Sequence, residues 1–408
     1  MKSSVVRRQN ITGETIRLNR KICVYTSTRS EYGLLQGVLK EIETAPTLQL
    51  QILASGMHLS PEFGMTIQEI RADGFEPDET IEILLSSDTP TAICKSMGLA
   101  LIGYGEALQR LKPDMVVVLG DRFETFCMAA AAQVCRVPLA HIHGGETTEG
   151  AIDEAFRHSI TKMSHLHFAS CEAYRQRIIQ LGEAPDRVFN VGALGVENIR
   201  RMSLMGRSEL AAAIGFNLEK PYFLVTFHPV TLEKDTSEGQ FQLLLAALDA
   251  FPEYNVIFTK ANADTDGRVI NRMIAEYAER QPERCLAVAS LGALRYLSAM
   301  KYATAVIGNS SSGIVEAPSF KISTINIGDR QKGRVRAVSV VDCEPSASSI
   351  VAAINEGISS EFQRVLRDTE NPYEKTGTAC EIISTIAAFD PAEFLKKIFY
   401  NIPMASLI

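Results

Sequence analysis

The stretches Val118-Leu119-Gly120-Asp121-Arg122-Phe123-Glu124 and His141-Ile142-His143-Gly144-Gly145-Glu146 decide the fold of this chain. Each one ends an apolar run, the first beginning at Met115 and the second at Pro138, and each run predicts a buried strand. In open parallel sheets, ligands bind beyond the carboxyl ends of the strands, where loop side chains converge. We therefore expect Asp121, His141, His143 and Glu146 to share one crevice. Simple capping of the following helices by the two acids is the alternative.

The same alternation of short apolar runs and helix-length amphipathic stretches continues along the chain and is typical of parallel βαβ units. It predicts strands at 22–26, 48–54, 81–85, 115–119, 139–142, 166–169 and 188–191, and a second series at 222–226, 256–259, 286–289, 305–307 and 323–327. A chain of 408 residues exceeds the size at which a single core usually keeps growing. The pattern therefore predicts an α/β protein of two Rossmann-like domains that face each other across a cleft.

Four segments follow from this division. Residues 1–20 form an N-terminal extension that is disordered or loosely packed, and residues 21–205 form the first Rossmann-like domain. Residues 206–378 form the second, and residues 379–408 form a C-terminal helical segment that packs back on the first domain.

Composition excludes several classes of protein. A net charge of −7 argues against a general nucleic-acid binder. The eight cysteines form no C-x-x-C pair and indicate a reducing compartment. No apolar run reaches the ~18–20 residues needed to span a membrane, and the basic first twenty residues lack the apolar core of a secretory signal. We therefore expect a cytoplasmic protein. Because neither G-x-G-x-x-G after a strand nor a P-loop motif is present, a nicotinamide site or a P-loop kinase is not expected.

Three motifs of the sequence suit an anionic ligand. A Gly- and Ser-rich turn, with Ser310, Ser311, Ser312 and Gly313, lies between a predicted strand and a helix, where backbone N–H groups and the helix dipole favour phosphate. Glu316 follows one turn later and could accept hydrogen bonds from ribose hydroxyls. Arg29 follows the first strand and could clamp an anion from the opposite domain, and His228 ends the first strand of the second half. A plain Ser cap, a surface arginine and a core histidine are the respective alternatives.

The remaining polar motifs leave more than one interpretation open. The pairs His141/His143 and His165/His167 have the spacing of metal ligands on one face of a strand, but we expect packing or acid–base histidines and no metal. The second pair lies in a predicted strand with no nearby acid, which favours packed imidazoles. Asp153 opens a helix and either complements its dipole or faces the cleft beside Asp121. The basic loop that contains Arg330 is either a solvated surface loop or a gate for an anionic substrate.

Taken together, these residues resemble the hydrolysing UDP-N-acetylglucosamine 2-epimerases of bacterial sialic acid synthesis. That family is related to the epimerase half of the bifunctional mammalian enzyme and to the non-hydrolysing bacterial epimerases. The resemblance runs from about residue 21 to about residue 373. Its carriers are Thr28-Arg29-Ser30-Glu31-Tyr32-Gly33, Gly56-Met57-His58, Gly120-Asp121-Arg122-Phe123, His141-Ile142-His143-Gly144-Gly145-Glu146, Asp153-Glu154, Arg157-His158-Ser159-Ile160-Thr161-Lys162, Phe227-His228-Pro229, Gly308-Asn309-Ser310-Ser311-Ser312-Gly313 and Asn326-Ile327-Gly328-Asp329-Arg330-Gln331-Lys332-Gly333-Arg334.

The resemblance implies the glycosyltransferase-B type of fold, a nucleotide held mainly by the second domain, and no cofactor. It implies catalytic roles at Asp121, His143, Glu146, Asp153 and His228, and UDP-sugar contacts at Arg29, His58, Arg122, Ser310, Ser311, Ser312, Gly313, Glu316 and Arg330. One departure matters: many relatives carry Glu at the position of His143. Either His143 or Glu146 therefore takes over the acid–base role of that Glu.

The implied reaction eliminates UDP to give a 2-acetamidoglucal and then adds water to release free N-acetylmannosamine for the synthesis of sialic-acid-type sugars. The sequence leaves open the same reaction on UDP-N,N′-diacetylbacillosamine in the legionaminic acid pathway. It also leaves open a glycosyltransferase of the same fold and a non-catalytic sensor of nucleotide sugars. The expected partners are a UDP-sugar and a second copy of the chain, in a homodimer or homotetramer, with no nucleic acid and no membrane.

Overall fold

The computed structural model describes residues 19–403 except 88, 231, 234–235, 262–266 and 391–394, and two short strands before them. Those two strands, β1 (Arg8–Gln9) and β2 (Thr15–Ile16), pair in antiparallel fashion within the predicted N-terminal extension. The rest of the first eighteen residues, Thr231 in the predicted motif after His228, and part of the predicted C-terminal segment (391–394 and 404–408) lie outside the described residues.

The first half of the chain forms a seven-stranded parallel sheet. Its strands are β3 (Arg20–Thr26), β4 (Leu48–Ser55), β5 (Glu79–Ile81), β6 (Met115–Leu119), β7 (Leu139–Ile142), β8 (Leu166–Ala169) and β9 (Val188–Asn190), in the order β5-β4-β3-β6-β7-β8-β9. All five residues of β6 are buried, as expected of a central strand covered by helices on both faces. The register of β6 on β7 pairs Leu119 with Ile142, so the loops that carry Asp121 and His143 emerge side by side.

Seven helices cover this sheet in the described part of the first half. They are α1 (Arg29–Thr44), α2 (Ile67–Ala72), α3 (Pro90–Leu111), α4 (Phe123–Cys135), α5 (Asp153–Met163), α6 (Glu172–Gln180) and α7 (Leu194–Arg201). The start of α1 is fixed by a capping box, in which the Thr28 side chain accepts from the backbone N–H of Glu31 and Glu31 accepts in return from that of Thr28. This cap sets Arg29 at the first turn of α1, directly beyond the carboxyl end of β3.

The second half forms a six-stranded parallel sheet. Its strands are β10 (Tyr222–Thr226), β11 (Asn255–Thr259), β12 (Cys285–Val288), β13 (Ala305–Gly308), β14 (Ser323–Ile327) and β15 (Val340–Cys343), in the order β12-β11-β10-β13-β14-β15. Its helices are α8 (Arg207–Ile214), α9 (Ser237–Leu248), α10 (Gly267–Arg280), α11 (Gly292–Tyr302), α12 (Ser312–Val315), α13 (Ala347–Ile358) and α14 (Ser360–Arg367). Because Thr226 pairs with Gly308, the loop that carries His228 lies beside the Ser-rich turn.

The predicted fold class of two parallel α/β domains is confirmed. Three details of the strand prediction were wrong, and the first is that the pair β1–β2 was not expected. The strand expected at 81–85 lies at Glu79–Ile81 instead, where it pairs with the end of β4. The edge strand β15 was not predicted, because Asp342 interrupts its short apolar run of Val-Val-Asp-Cys and only one of its four residues is buried. An edge strand has a partner on one side only, so its sequence carries a weaker apolar signal than β6 does.

The last described helix, α15 (Thr378–Ala388), packs on the first sheet rather than the second. Ala379, Ile382, Ile383 and Ile386 belong to the buried cluster that contains β3, α1 and β4 side chains. The described part of the chain includes no helix long and apolar enough to cross a membrane.

Candidate active site

A cavity lies between the carboxyl ends of the two sheets. The first half contributes Arg29 and Gly195 to its lining. The second half contributes most of the polar groups, namely His228, Lys260, Tyr296, Ser310, Ser311, Ser312 and Glu316. The Arg and Lys side chains, the hydroxyl groups of the turn and an imidazole together make this cavity suited to an anion.

Asp121 follows β6 and is held by a buried arginine. The side chain of Arg157, a turn into α5, is 1% exposed, and its Nη2 contacts Asp121 Oδ2. The same guanidinium donates to Glu154 Oε2 at 2.7 Å, to the Glu146 carbonyl at 3.0 Å and to Thr148 Oγ1 at 2.8 Å. Arg157 thus fixes the loop after β6 to the loop after β7 and leaves the Asp121 side chain 24% exposed toward solvent.

Glu146 is buried and is held from two sides. Ser170 Oγ donates to Glu146 Oε1 at 2.7 Å, and Arg334 of the second half donates to Glu146 Oε2 at 2.5 Å. Burial alone would raise the pKa of Glu146, but the nearby Arg334, His143 and Arg157 lower it to about 2. Glu146 is therefore an ionised carboxylate at neutral pH, and both of its oxygens already accept hydrogen bonds.

His143 stands beside Glu146 in an unusual backbone conformation. Its φ of 65° is left-handed, and its Nδ1 lies 3.6 Å from Glu146 Oε1. Burial lowers the pKa of His143, so the imidazole is neutral at pH 7. Its Nε2 is buried and has no hydrogen-bond partner among the described residues. A neutral imidazole with one such nitrogen can accept or deliver a proton.

The spacing of the histidine pairs does not give shared metal ligands in the described geometry. β7 ends at Ile142, so His141 and His143 are not two residues of one extended strand. His141 Nε2 lies 2.7 Å from the Gly120 carbonyl and its Nδ1 lies 3.2 Å from Thr161 Oγ1, so both ring nitrogens serve packing. The expectation that no acid lies near the second pair was wrong, because Glu183 Oε2 lies 3.0 Å from His167 Nε2.

The Ser-rich turn lies between β13 and α12, as predicted. Ser310 Oγ and Ser312 Oγ are 3.1 Å apart, and Tyr296 on α11 contacts the Ser312 hydroxyl at 2.5 Å. Asn309 fixes the neighbouring loop, since its side chain accepts from the His228 N–H at 2.7 Å and donates to the His228 carbonyl at 2.8 Å. The turn and His228 are therefore held as one wall of the cavity.

Arg29 reaches this wall from the first half. Its Nη2 donates to the Lys260 carbonyl beyond β11 at 3.3 Å. Burial lowers the pKa of Arg29, although Glu69 and Tyr296 act in the opposite direction. A guanidinium is more weakly hydrated than an ammonium and suits a diphosphate.

Glu316 closes the other end of the cavity. Burial raises its pKa to about 8, and its Oε2 is buried with no hydrogen-bond partner among the described residues. Arg334 and Glu146 both act electrostatically on Glu316, so the cavity and the Asp121–Glu146 cluster are neighbours. Asp121, His143 and Glu146 do not themselves line the cavity.

The sequence of the chain also matches a known protein family. The family model described as UDP-N-acetylglucosamine 2-epimerase matches residues 40–387. The chain belongs to this family.

Curated relatives and solved structures agree with the match. A "GDP/UDP-N,N'-diacetylbacillosamine 2-epimerase (hydrolyzing)" of Campylobacter jejuni is 46% identical over 325 residues, which is 80% of this chain and 84% of the relative. The "Polysialic acid biosynthesis protein P7" of Escherichia coli is 40% identical over 386 residues, 94% of this chain and 98% of the relative. The crystal structure of a Methanocaldococcus jannaschii UDP-GlcNAc 2-epimerase superposes with a TM-score of 0.76 at 18% identity, covering 90% of this chain and 99% of that one. The protein is thus an enzyme of the UDP-N-acetylglucosamine 2-epimerase family with the expected glycosyltransferase-B type of fold.

His58 and Arg122, two expected ligand contacts of this epimerase-family enzyme, form hydrogen bonds with other protein side chains instead. His58 is fully buried, with Nε2 at 2.9 Å from Thr26 Oγ1 and Nδ1 at 2.8 Å from Thr66 Oγ1, and burial lowers its pKa to about 4. Arg122 donates to both oxygens of the buried Glu124 at 3.1 Å. Neither residue lines the cavity, so the structure places both of them behind the loops that do.

The other predicted residues lie near the cleft with different surroundings. Asp153 is the first residue of α5, four residues before Arg157. Arg330 Nη1 donates to the Asn309 carbonyl at 3.1 Å, which braces the Ser-rich turn. Gly313 faces β14 rather than the cavity, because a Cβ there would lie 2.7 Å from Thr324 Cγ2. Its small size thus serves the packing of α12 on the sheet.

Several residues of the site were not singled out from the sequence. No individual role was predicted for Arg157, Arg334 or Asn309, and no sequence signal indicated Tyr296, Lys260 or Ser170. A buried arginine carries no local signal that distinguishes it from a solvated one, since only its distant partners decide its burial. Arg334 lies in the basic loop whose role the sequence left open, and its burial against Glu146 shows that at least this part of the loop is not solvated.

Proposed function

We propose that this enzyme is a hydrolysing UDP-N-acetylglucosamine 2-epimerase that releases UDP and free N-acetylmannosamine for the synthesis of sialic-acid-type sugars. The observation that carries the proposal is the juxtaposition of two groups of residues. One is the acid–base cluster of Asp121, His143 and Glu146 at the ends of β6 and β7, and the other is the adjoining cavity, which suits an anion. A nucleotide in the cavity would extend its sugar toward the cluster.

The cavity supplies the groups that a departing diphosphate needs. Arg29, His228 and the hydroxyls of Ser310, Ser311 and Ser312 surround one region and would stabilise the negative charge that develops on UDP. Glu316 would bind the ribose hydroxyls, because its Oε2 lies buried with no partner among the described residues. The M. jannaschii structure that shares this fold is described as a complex with UDP-GlcNAc and UDP, which supports the assignment.

The chemistry begins at C2 of the sugar, which is not α to a carbonyl. Proton removal from C2 is therefore easier if the C1–O bond to UDP breaks at the same time, so that the C–H electron pair forms the C1=C2 bond of a 2-acetamidoglucal. Water then adds across this double bond: its oxygen joins C1, and a proton is delivered to the other face of C2. This sequence needs one proton acceptor and one proton donor near C2.

Among the candidate groups, His143 is the better proton carrier and Glu146 its positioning partner. Glu146 is ionised, but its oxygens are engaged by Ser170 and Arg334, which makes it a weak base. His143 is neutral, and its buried Nε2 has no hydrogen-bond partner among the described residues. Asp121, held by Arg157, and Asp153 at the start of the same helix supply the second acid–base group. In this chain His143 thus takes the role of the Glu found at its position in many relatives.

The names of two relatives favour the hydrolysing branch of the family. The C. jejuni relative is named as hydrolyzing, and the E. coli relative is named for polysialic acid biosynthesis. A second candidate is the same reaction on UDP-N,N′-diacetylbacillosamine, which the 46% identity to the C. jejuni relative favours. We also expect a homodimer or homotetramer, which light scattering on the purified enzyme would test.

The test is incubation with UDP-N-acetylglucosamine in D₂O without any acceptor, and a parallel reaction with UDP-N,N′-diacetylbacillosamine. We expect UDP and free N-acetylmannosamine in equal amounts, with deuterium at C2, because the C2 proton is removed and returned from solvent. Turnover of only the second substrate supports the second candidate. A product that retains UDP assigns the non-hydrolysing branch, and a free sugar without deuterium at C2 contradicts the elimination. Turnover only with an added acceptor sugar indicates a glycosyltransferase.

A further inference from the structure

Arg334 belongs to the second domain, but its side chain lies in the acid–base cluster of the first. We propose that Arg334 is a positioning residue that anchors the Glu146 carboxylate beside His143, so that the acid–base site is complete only when the loop after β14 is seated on the first domain. This inference rests on the proposed function and extends it to a requirement for domain contact.

The geometry gives Glu146 an anchor from each domain. Arg334 Nη1 donates to Oε2 at 2.5 Å, and both side chains are only 6% exposed. Ser170 of the first domain donates to Oε1 at 2.7 Å, and His143 Nδ1 lies 3.6 Å from that same oxygen. With both oxygens fixed, the carboxylate has one orientation available, and that orientation faces the His143 ring.

The backbone around Arg334 is fastened to the first domain by contacts that do not involve its charge. The Val335 N–H donates to the Tyr174 hydroxyl of the first domain at 2.9 Å. Tyr373 of the second domain donates to the Val335 carbonyl at 2.6 Å, and its hydroxyl lies 2.9 Å from that of Tyr174. Because these contacts are independent of the guanidinium, a substitution at Arg334 can remove the hydrogen bond to Glu146 while the loop stays in the same position.

The chemical consequence concerns the tautomer of His143. A carboxylate beside Nδ1 favours the Nδ1–H tautomer, which leaves the lone pair on Nε2 for proton abstraction. Loss of Arg334 would leave Glu146 buried without its main counter-charge, which favours a neutral carboxyl and removes the preference for that tautomer. The charged and titratable groups that interact with His143, Glu146 or Arg334 include Asp121, His141, Arg157, Cys171, Tyr174, Glu316 and Tyr373.

The first experiment compares Arg334→Gln with Lys332→Gln, an exposed cation of the same loop. We expect Arg334→Gln to lower kcat at least 100-fold while the affinity for UDP changes less than threefold, because Arg334 does not line the nucleotide cavity. Lys332→Gln should change neither quantity. Near-normal kcat in Arg334→Gln overturns the proposal, and an equal loss of UDP affinity and kcat would make Arg334 a phosphate ligand instead.

A double-substitution cycle tests whether Arg334 acts through Glu146. If it does, Arg334→Gln combined with Glu146→Gln should be no slower than Glu146→Gln alone. Losses of kcat that multiply would show independent roles and contradict the proposal.

A third measurement is independent of turnover and therefore separates this inference from the proposed function. In ¹⁵N-histidine-labelled enzyme, we expect His143 to be the Nδ1–H tautomer, with its resonance assigned by its loss in His143→Gln. In Arg334→Gln the Nε2–H tautomer should gain population. An unchanged tautomer overturns the positioning role whatever the substrate proves to be, whereas failure of the wild-type enzyme to turn over either UDP-sugar overturns only the proposed function.

Discussion

Glu316 of the second domain occupies space that Gly195 of the first domain leaves empty. A Cβ at position 195 would lie 1.9 Å from Glu316 Oε1 and 2.8 Å from its Cδ. Gly195 lies within α7, and both residues line the cleft cavity. The absence of one methyl group therefore determines where the buried carboxyl of Glu316 lies and how closely the two domains approach at this point.

The first prediction is that Gly195→Ala weakens UDP binding at least tenfold. The added methyl group cannot coexist with Glu316 in its present position, so either the carboxyl or α7 must move. Isothermal titration calorimetry with UDP measures the effect. Gly239→Ala in α9 is the matched control, since a Cβ there meets no heavy atom within 4 Å. Equal UDP affinities for the two variants would remove Glu316 from the nucleotide site.

The second prediction concerns the Ser-rich turn. Ser310→Ala combined with Ser311→Ala should weaken UDP binding by about 1.5–3 kcal/mol for each lost hydrogen bond to a charged group. Both hydroxyls line the cavity, and calorimetry with UDP again provides the measurement. Ser346→Ala at the start of α13 removes a helix cap far from the cleft and serves as the control. Unchanged UDP affinity in the double variant would show that this turn serves only as a helix cap.

The third prediction separates the chemistry at Asp121 from its structural contact. Asp121→Asn should lower kcat by about 10²–10⁴-fold, the usual contribution of a general acid or base, and leave UDP affinity unaltered. Glu154→Gln is the matched control, because Glu154 contacts the same Arg157 at 2.7 Å without lying at the end of β6. If the two variants lose the same activity, Asp121 acts only by holding Arg157.

The fourth prediction concerns the dependence of stability on pH. Burial raises the pKa of Glu316 from 4.5 to about 8, so between these values the folded protein keeps a proton that the unfolded chain releases. The contribution of this group to the free energy of unfolding is therefore full below pH 4.5 and is lost as the pH rises toward 8. Urea unfolding at pH 5, 6.5 and 8 should show the wild type losing stability relative to Glu316→Gln. Parallel profiles would show that Glu316 has an ordinary pKa.

The fifth prediction concerns the C-terminal tail. Lys397 Nζ donates to the Lys162 carbonyl at 2.8 Å, just before α5 ends, and lies 2.7 Å from Glu183 Oε2. Lys397→Met should lower the free energy of unfolding by about 1–3 kcal/mol, because it removes a charged hydrogen-bond donor from the buried Glu183 carboxylate, which then keeps only Lys162 and His167. Lys396→Met, at an exposed neighbouring position, should have no measurable effect in the same denaturant titration. Equal stabilities would show that the tail does not fasten α5.

Part of this site follows from short-range sequence, as the loops after β6 and β7 illustrate. An apolar run that ends in Gly-Asp or His-Gly-Gly places its polar residues at a strand end, because a parallel sheet brings all such ends to one edge. Asp121, His143 and Glu146 therefore lie close together, although they do not line the cavity and His141 is held by other hydrogen bonds. The Ser-rich turn after β13 and Arg29 after β3 follow from the same rule.

His58 and Arg122, which only the family resemblance named as ligand contacts, show the limit of this rule. Both follow strand ends, yet each side chain turns inward to buried partners, His58 to two threonines and Arg122 to Glu124. Strand position predicts the edge of the sheet at which a residue lies, but not whether its side chain faces the cleft. That choice depends on hydrogen-bond partners supplied by other segments.

The sequence by itself determined the two parallel sheets, the edge at which the site lies and the chemical type of its residues, because these depend on local periodicity and on residues close together in the chain. Only the tertiary structure decided the contacts that set their chemistry. Arg334 and Glu146 are 188 positions apart, and the Gly195–Glu316 contact also joins the two domains. Such pairs form only when both domains dock, and burial then shifts the pKa of each group according to neighbours that no local pattern contains.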